Sequence, residues 1–410
     1  MKILVINCGS SSVKFQLFDT DHEKIKNSRD SEIATGLIEK IGLSSSIISF
    51  QVAGRQSSKF SDVILEHRTA IKKVIEILLD KEIGCIKEKS EIKAVGHRIV
   101  HGGEKFFDSV PITAEVLKEI ENCIEFAPLH NPHNIRGYLM AREFLPDIPH
   151  VAVFDTGFHN KMPARAYMYG LPYSIYSLHR IRKYGFHGIS HRYVSYRMAQ
   201  ITGAARSGLN IISAHLGNGC SVAAIEGGVS IDTSMGFTPV EGLMMGTRCG
   251  DMDPSVILHI MGKEELSLHE ANTLLNKHSG LYGISGVSND MRELLSEVKK
   301  GSERASLAFS MFCYRLKKYI GSYMAVLNRT NYIIFTAGIG ENSPDVRSAA
   351  LSGMDHLGVE LDEELNGSMT LGREGKISSE KSRIQVWVVP TNEGLVIARD
   401  TFRCIDGNSK

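Results

Sequence analysis

Lys2-Ile3-Leu4-Val5-Ile6-Asn7-Cys8-Gly9-Ser10-Ser11-Ser12-Val13-Lys14-Phe15-Gln16-Leu17 is the stretch that decides the fold. Ile3 to Ile6 form a short apolar run, Gly9 to Ser12 supply a turn, and Val13, Phe15 and Leu17 alternate with polar residues, which reads as strand, turn, strand. The design returns in the middle of the chain. There Asn210 to His215 lead into Gly217-Asn218-Gly219, then Ser221 to Ile225, then Gly227-Gly228 and a further strand from Val229. Two such hairpins suggest a duplicated domain. Around them, Ile71, Val74, Ile75, Leu78 and Leu79 share one helical face, and Thr113 reads as the N-cap of a helix carrying Val116, Leu117, Ile120 and Ile124. Ser267 with Glu270 makes a capping box, and a long helical pattern fills Glu303 to Leu327. Apolar strands are expected at Ile92 to Val100, His150 to Phe154, Tyr332 to Thr336 and Ile384 to Val389. Strands alternating with helices indicate an α/β fold of at least two lobes, with a boundary near Pro146 to Pro149. Asp21 to Asp30 and Gly372 to Ser382 are polar and aperiodic, and are expected to be the least ordered stretches.

The bulk numbers exclude several classes. With 47 basic against 46 acidic residues, the chain has no electrostatic footprint for nucleic acid or an anionic membrane. No apolar run approaches the ~18 residues a membrane span needs. The opening residues reach Asn7 too early for a signal peptide's apolar region. The seven cysteines, odd in number and without a Cys-x-x-Cys pair, read as reduced thiols, which makes the cytoplasm the expected compartment.

Five segments put polar or glycine residues where strands end, the edge at which open α/β sheets bind ligands. In Asn7-Cys8-Gly9-Ser10-Ser11-Ser12, small residues let the backbone approach a phosphate, although the stretch reads equally as a hairpin turn. It is not a P-loop, because Gly-Lys-Ser/Thr is missing and a strand follows. Tyr332 to Pro344 runs from a buried strand through Gly338 and Gly340 into a helix with Ser343 as N-cap and Pro344 at N1, suited to an anion or a planar base. Arg98 and Arg248 each lie among glycines, free to fork onto carboxylate or phosphate oxygens or to pair with an acidic side chain. His97/His101 and His187/His191 have i, i+4 spacing, but their glycine surroundings count against zinc and favour hydrogen-bonded histidines. Asp155 and Glu393 each follow an apolar strand, where a carboxylate serves as a cap, a salt-bridge partner or a holder of Mg²⁺.

Together these segments resemble the acetate/propionate/butyrate kinase family. The match runs from Asn7-x-Gly-Ser-Ser-Ser through the Arg98 segment, Ala127-Pro128-Leu129-His130-Asn131-Pro132, Val153-Phe154-Asp155-Thr156 and Tyr184 to His191. It continues through His215-Leu216-Gly217-Asn218-Gly219, Asp232 to Pro239, the Arg248 segment, Gly338-Ile339-Gly340-Glu341-Asn342 and Thr391-Asn392-Glu393. The resemblance implies duplicated ribonuclease-H-like lobes of the sugar kinase, Hsp70 and actin superfamily. The lobes would be residues 1–149, completed by a C-terminal helix of about 394–410, and 150–393, the nucleotide-binding and dimerisation lobe. It also implies a homodimer, ATP and acetate as substrates, and Mg²⁺ as cofactor, with Mn²⁺ able to replace it.

Carried onto matching positions, Asn7, Ser12 and Lys14 would meet phosphate, and Arg98 and Arg248 would hold the acyl carboxylate and the migrating phosphoryl group. His187 would stabilise the transition state, with His130 and His215 in support. Asn7, Asp155 and Glu393 would place Mg²⁺, and His215 to Gly219 with Gly338 to Asn342 would cradle ATP. Val100, Leu129, Phe186 and Pro239 would line the pocket for the substrate methyl. A fatty carboxylate, with a pKa near ~4, is ionised at neutral pH and needs no general base. Bringing two anions together is then the difficulty, and a site of arginines, histidine and Mg²⁺ answers it. Cys220 and Cys249 stand where the family usually has Ala or Ser, Gly157 where it has Ala and Ile189 where it has Thr; Cys249, beside Arg248, suggests thiol sensitivity. Val100 stands where propionate kinases of the family often have Ala, which favours acetate over propionate. A non-catalytic nucleotide switch on the same fold would have no use for Arg98, Arg248 and His187 together.

Overall fold

The computed structural model describes residues 1–407, and residues 408–410, the tail of the expected C-terminal helix, lie outside the described residues. The chain forms two units, Met1–Phe158 together with the chain from Asn392 on, and His159–Thr391. The first carries eight strands: β1 (Lys2–Cys8), β2 (Ser12–Asp19), β3 (Ser31–Glu39), β4 (Ser46–Val52), β5 (Ser58–Asp62), β6 (Ile92–Ile99), β7 (Val110–Pro111) and β8 (His150–Phe154). Their order in the sheet is β5-β4-β3-β2-β1-β6-β8-β7. The second unit carries β9 (Asn210–Leu216), β10 (Cys220–Glu226), β11 (Val229–Thr233), β12 (Tyr332–Thr336), β13 (Gly375–Lys376) and β14 (Gln385–Val388), ordered β11-β10-β9-β12-β14-β13.

Compared strand by strand, β3-β2-β1-β6-β8 and β11-β10-β9-β12-β14 are the same object. In each, three consecutive strands run antiparallel, the first pair joined by a tight turn, and two more join in parallel. This is the ribonuclease-H-like sheet, present twice. The parallel strands are buried and apolar, as strands covered on both faces must be: Ile3 to Ile6, Ile211 and Ile212, and Ile333 to Phe335 are all at most 3% exposed.

The unit boundary falls after Phe158 rather than at Pro146 to Pro149, because β8 follows those prolines and pairs in parallel with β6 of the first sheet. The helix Glu393–Asp406 belongs to the first unit for a similar reason. A methyl group on Gly96 of β6 would lie 2.3 Å from the Thr401 hydroxyl and 2.7 Å from Ile397, so only glycine lets this helix seat on the strand. The helix His67–Leu79 buries the face read from its spacing, Thr113 caps Ala114–Asn122, and Ser267 with Glu270 forms the capping box.

Three local expectations change. Asp21 to Asp30 is not featureless: Asp21 caps a short helix, His22–Asn27, by accepting the Lys24 amide at 2.9 Å. Gly372 to Ser382 contains β13, and Ser378 bridges to Leu361. The glycines at 338 and 340 form a helical turn, Ala337–Asn342, rather than an open loop; Ser343 then occupies the N-cap of Pro344–Leu351 without using its hydroxyl as a cap. No helix among the described residues is long and apolar enough to cross a membrane.

Two histidines are buried in the first sheet. His150 Nε2 faces the Leu145 carbonyl at 3.0 Å, so it carries the proton; His150 Nδ1 must then accept from His97 Nε2, 2.9 Å away. Tyr138 packs edge-on to both rings. Burial, and for His97 also the charge His150 would carry, holds His97 well below the ordinary imidazole range; burial lowers His150 too, although the Leu145 carbonyl opposes it. Unfolded, both rings protonate near pH ~6.5 while the folded rings resist, so the stability they contribute is complete above that pH and lost as pH falls below it. Thermal melts should therefore be flat from about pH 7 to 8 and fall below about 6.5, with up to ~1.4 kcal/mol per pH unit from each ring. His97→Gln should flatten this slope, and an unaltered slope would refute the assignment.

Candidate active site

In the first unit, the parallel register sets Arg98 of β6 opposite Val153 of β8, so Asp155 emerges just past the strand end beside it. Arg98 Nη2 donates to Asp155 Oδ2 at 2.9 Å, and Arg98 Nε lies 3.8 Å from Glu393 Oε2. Glu393 opens the C-terminal helix, whose N-cap Asn392 accepts the Leu395 amide. Burial pushes the Glu393 carboxyl up, Arg98 pulls against it, and the charge of Asp155 adds to the rise. Burial works against the Arg98 cation, but Asp155 and Glu393 outweigh it and raise its pKa. Three residues chosen from sequence thus form one charged cluster.

Asn7, Ser12 and Lys14 line the opening hairpin, where Asn7 pairs across to Lys14 and the Gly9 amide donates to the Ser12 carbonyl at 2.8 Å. His130 stands at the N-cap of Asn131–Phe144. Two asparagines of that helix hold the strand exits, and the sequence motifs single out only Asn131, within the His130 segment. Asn134 accepts the Val100 amide at 3.0 Å and donates to the Cys8 carbonyl at 2.8 Å, tying the exits of β6 and β1 together. Asn131 exchanges two bonds with the His101 backbone. Of the expected methyl-pocket residues in this unit, Val100 is buried and Leu129 is 46% exposed.

In the second unit, His187 sits at the start of the helix Gly188–Thr202 with φ 55°, a left-handed conformation costly for a residue with a Cβ and characteristic of functional sites. Its ring stacks on that of His215, the centroids 4.0 Å apart. A hydroxyl network lies beneath. Ser221 Oγ bridges His187 Nδ1 at 2.9 Å and His191 Nε2 at 2.8 Å, and His191 Nδ1 meets Ser213 Oγ at 2.9 Å. His215 Nδ1 meets Ser190 Oγ, which donates to the Thr391 hydroxyl.

Gly219 marks where Arg248 and His187 meet. A Cβ there would lie 3.0 Å from Arg248 Nη1 and 3.6 Å from His187 Nε2, so both nitrogens look onto the same glycine. Arg248 has only two long contacts, to the Pro239 carbonyl at 3.4 Å and the Met245 sulfur at 3.9 Å. No carboxylate pairs with it among the described residues, and burial lowers its pKa. Phe186, the remaining expected pocket residue, is 2% exposed. Cys249 donates to the Gly250 carbonyl, and burial raises its pKa; burial likewise pushes the neighbouring Cys220 thiol up to about 12. Both shifts oppose the thiolate that thiol reagents need.

A cleft of about 920 Å³ opens in this unit, lined by Gly217, Asn218, Gly338, Ile339 and Asn342 among the residues anticipated. That volume suits a nucleotide-sized ligand. Leu216 and Gly340 are buried behind it, and the Glu341 carboxylate is turned inward, accepting the backbone amides of Ala337 at 2.7 Å and Thr391 at 3.1 Å. The far wall is Asn289 to Arg292 and Leu295, with Thr370 and Leu371, none of them anticipated. The one sequence signal was polar Ser288-Asn289-Asp290 ahead of a helix, with Asp290 as its cap. Arg347, also missed, is fully buried and staples this region, donating to the carbonyls of Gly340, Glu341, Asn366 and Met369. The histidine spacings do not make a zinc site: among the described residues no three His, Cys, Asp or Glu side chains are placed to hold a metal ion.

Comparison with known proteins follows the same lines. The acetate kinase of Chloroherpeton thalassium is 51% identical over 99% of both chains, and that of Thermoanaerobacter pseudethanolicus 52% identical over 99% of this chain and 100% of its own. Among solved structures, Porphyromonas gingivalis acetate kinase superposes with a TM-score of 0.91 at 45% identity, covering 98% of this chain and 99% of its own. A propionate kinase from Francisella tularensis gives 0.90 at 40% identity, covering 98% of this chain and 100% of its own. The model of the acetokinase family matches residues 2–399, and the chain belongs to that family.

Proposed function

We propose that this chain transfers the terminal phosphoryl group of ATP to the carboxylate of acetate, in line and reversibly, giving acetyl phosphate and ADP. The observation that carries the reading is Arg248, a half-buried guanidinium without a carboxylate partner, directed with His187 at the same glycine. A cation kept in that condition favours an arriving anion. The acyl acceptor needs no base, because it is already ionised, and the site offers cations and hydrogen-bond donors.

Arg98 holds the acyl carboxylate, its own orientation fixed by Asp155. Arg248 neutralises the migrating phosphoryl group and His187 donates a hydrogen bond to it, with His215 stacked behind His187 and His130 in support. Asn7, Ser12 and Lys14 contact phosphate. The cleft of the second unit takes the nucleoside, with Gly217, Asn218 and the Gly338 turn at its wall.

Asp155 and Glu393 fit a magnesium ion. They are close enough that the charge of one raises the pKa of the other, and two carboxylates with substrate phosphates are the usual magnesium set. They would hold it together with Asn7, and it would supply positive charge to the phosphate oxygens, a role Mn²⁺ can also fill. Seven unpaired cysteines support a reducing compartment, read as the cytoplasm. The working form is read as a homodimer. Tyr173–His179 buries no residue in the single chain, and Tyr173 and Leu178 are 69% and 74% exposed, a surface that a second copy would cover. Sedimentation should give twice the chain mass of 45.3 kDa, and a single species at 45.3 kDa would refute the dimer.

The function is tested by a hydroxylamine trap for acyl phosphate, with ATP, Mg²⁺ and a panel of short acids. Acetate should give hydroxamate, chelation of the metal should abolish it, and no hydroxamate from any acid would overturn the reading. Val100 shortens the acyl pocket, and one methylene is worth about 1–3 kcal/mol. Propionate should therefore react with a kcat/KM roughly 5- to 150-fold lower; equal or higher values would make the chain a propionate kinase. In the same assay Arg248→Ala should lower kcat on the order of 10³-fold or more, the scale of an arginine finger. A loss below about tenfold would remove Arg248 from the mechanism.

A further inference from the structure

The four side chains Ser213, His191, Ser221 and His187 form an unbroken hydrogen-bonded row with spacings of 2.9, 2.8 and 2.9 Å. Ser213, His191 and Ser221 are fully buried, and the row ends at the nitrogen of His187 opposite to the one that looks onto Gly219 and Arg248. None of the three buried members is in a position that sequence reasoning assigned to the chemistry. A buried histidine bridged between two serines is an expensive arrangement unless every group is satisfied, and here each bond has a partner of good length.

The row has a logical consequence. Burial, and then the neighbouring His159 and His215, holds His191 well below the ordinary imidazole range, so His191 is neutral and has one donor and one acceptor nitrogen. Each serine hydroxyl has a single proton. Only two orderings therefore satisfy all three bonds. In the first, Ser213 donates to His191 Nδ1, His191 Nε2–H donates to Ser221, and Ser221 donates to His187 Nδ1. In the second, every donor and acceptor is exchanged. The first leaves the proton of a neutral His187 on Nε2, the nitrogen facing Gly219; the second leaves that nitrogen bare, with a lone pair toward an incoming anion.

We propose that Ser221 and His191 are positioning residues that fix His187 as the Nε2–H tautomer, so that it meets the migrating phosphoryl group as a hydrogen-bond donor. The inference rests on the reading of His187 as a contact to that group. It explains why His187 occupies a strained left-handed backbone: the conformation points Nδ1 down to Ser221 and leaves Nε2 outward. The partner of the far nitrogen sets the tautomer, as second partners do for metal-binding and catalytic imidazoles.

The unmodified protein gives the first test. Nitrogen-15 spectra of histidine-labelled enzyme, with His187 assigned as the resonance missing from His187→Gln, should show a protonated Nε2 and a bare Nδ1 above neutral pH. The opposite tautomer would overturn the proposal. Kinetics give the second. Ser221→Ala removes both of its bonds with little change of volume; it should lower kcat about 10- to 100-fold, as loss of such a partner does elsewhere. Both KM values should stay within about threefold. An unchanged kcat in folded Ser221→Ala would overturn the proposal, and if that variant fails to fold, the spectrum of the native protein decides. Full activity in His187→Ala would instead refute the placement of His187 on the phosphoryl group, whatever its tautomer.

Discussion

Parallel pairing on one side of a hairpin is the constraint from which the rest of this structure follows. β1 and β9 are each flanked by an antiparallel partner joined through a tight turn, and by a parallel partner that arrives after a long excursion. A parallel neighbour ends where its partner ends, so the carboxyl ends of β1, β6 and β8 share one edge of the first sheet, and those of β9, β12 and β14 one edge of the second. Asn7, Arg98 and Asp155 are the residues the first edge delivers. The second delivers His215 and the Gly338 turn. The chemistry is spread over the whole sequence because the strands that bring it to an edge are far apart along the chain.

That edge was readable from letters for a physical reason. Strand cores announce themselves as short runs of Ile, Val and Phe, and the polar residue that follows each run is where burial stops; Asp155 after Val153-Phe154 and Arg98 within Val95 to Val100 were found in this way. The caps at Thr113 and Ser267 were legible because capping is local chemistry. What escaped depends on contacts between distant segments. Asn134 joins β1 to β6 from a helix with no obvious apolar face, and Arg347 gathers carbonyls from two segments while presenting nothing to the surface. The far wall of the second unit's cleft comes from Asn289 to Arg292 and Leu295 with Thr370 and Leu371, whose neighbourhood is purely tertiary. Glu341 shows the converse. Its place in a glycine-rich motif suggested a ligand contact, but a carboxylate next to two buried amides is held by them, and it secures the path of the chain at Thr391.

Buried charge without a partner is costly, and the protein handles its arginines in three distinct ways. Arg347 is satisfied wholly by carbonyl oxygens, and burial pulls its pKa down to about 10. Its hydrogen bonds tie the turn Ala337–Asn342, one wall of the cleft, to Asn366 and Met369. Arg98 is paired with Asp155, which orients the guanidinium and, with Glu393, keeps it charged.

Arg248 is the third case, and it contrasts with Arg98 in having no carboxylate beside it among the described residues. An arginine already paired can meet a further anion with its remaining donors, but much of its charge is balanced before that anion arrives. Arg248 has given up water without gaining an anion; its long contacts to Pro239 and Met245 hold it in place but do not neutralise it. The charge that satisfies it must come from outside the chain. An interaction that strengthens as negative charge gathers on transferred oxygens lowers the barrier rather than only the binding energy. The glycine at 219 leaves the space before the guanidinium clear, since a methyl group there would stand 3.0 Å from it. Whether an arginine is paired or open to an anion is therefore set by where the carboxylates are: Asp155 and Glu393 stand beside Arg98, and none pairs with Arg248 among the described residues.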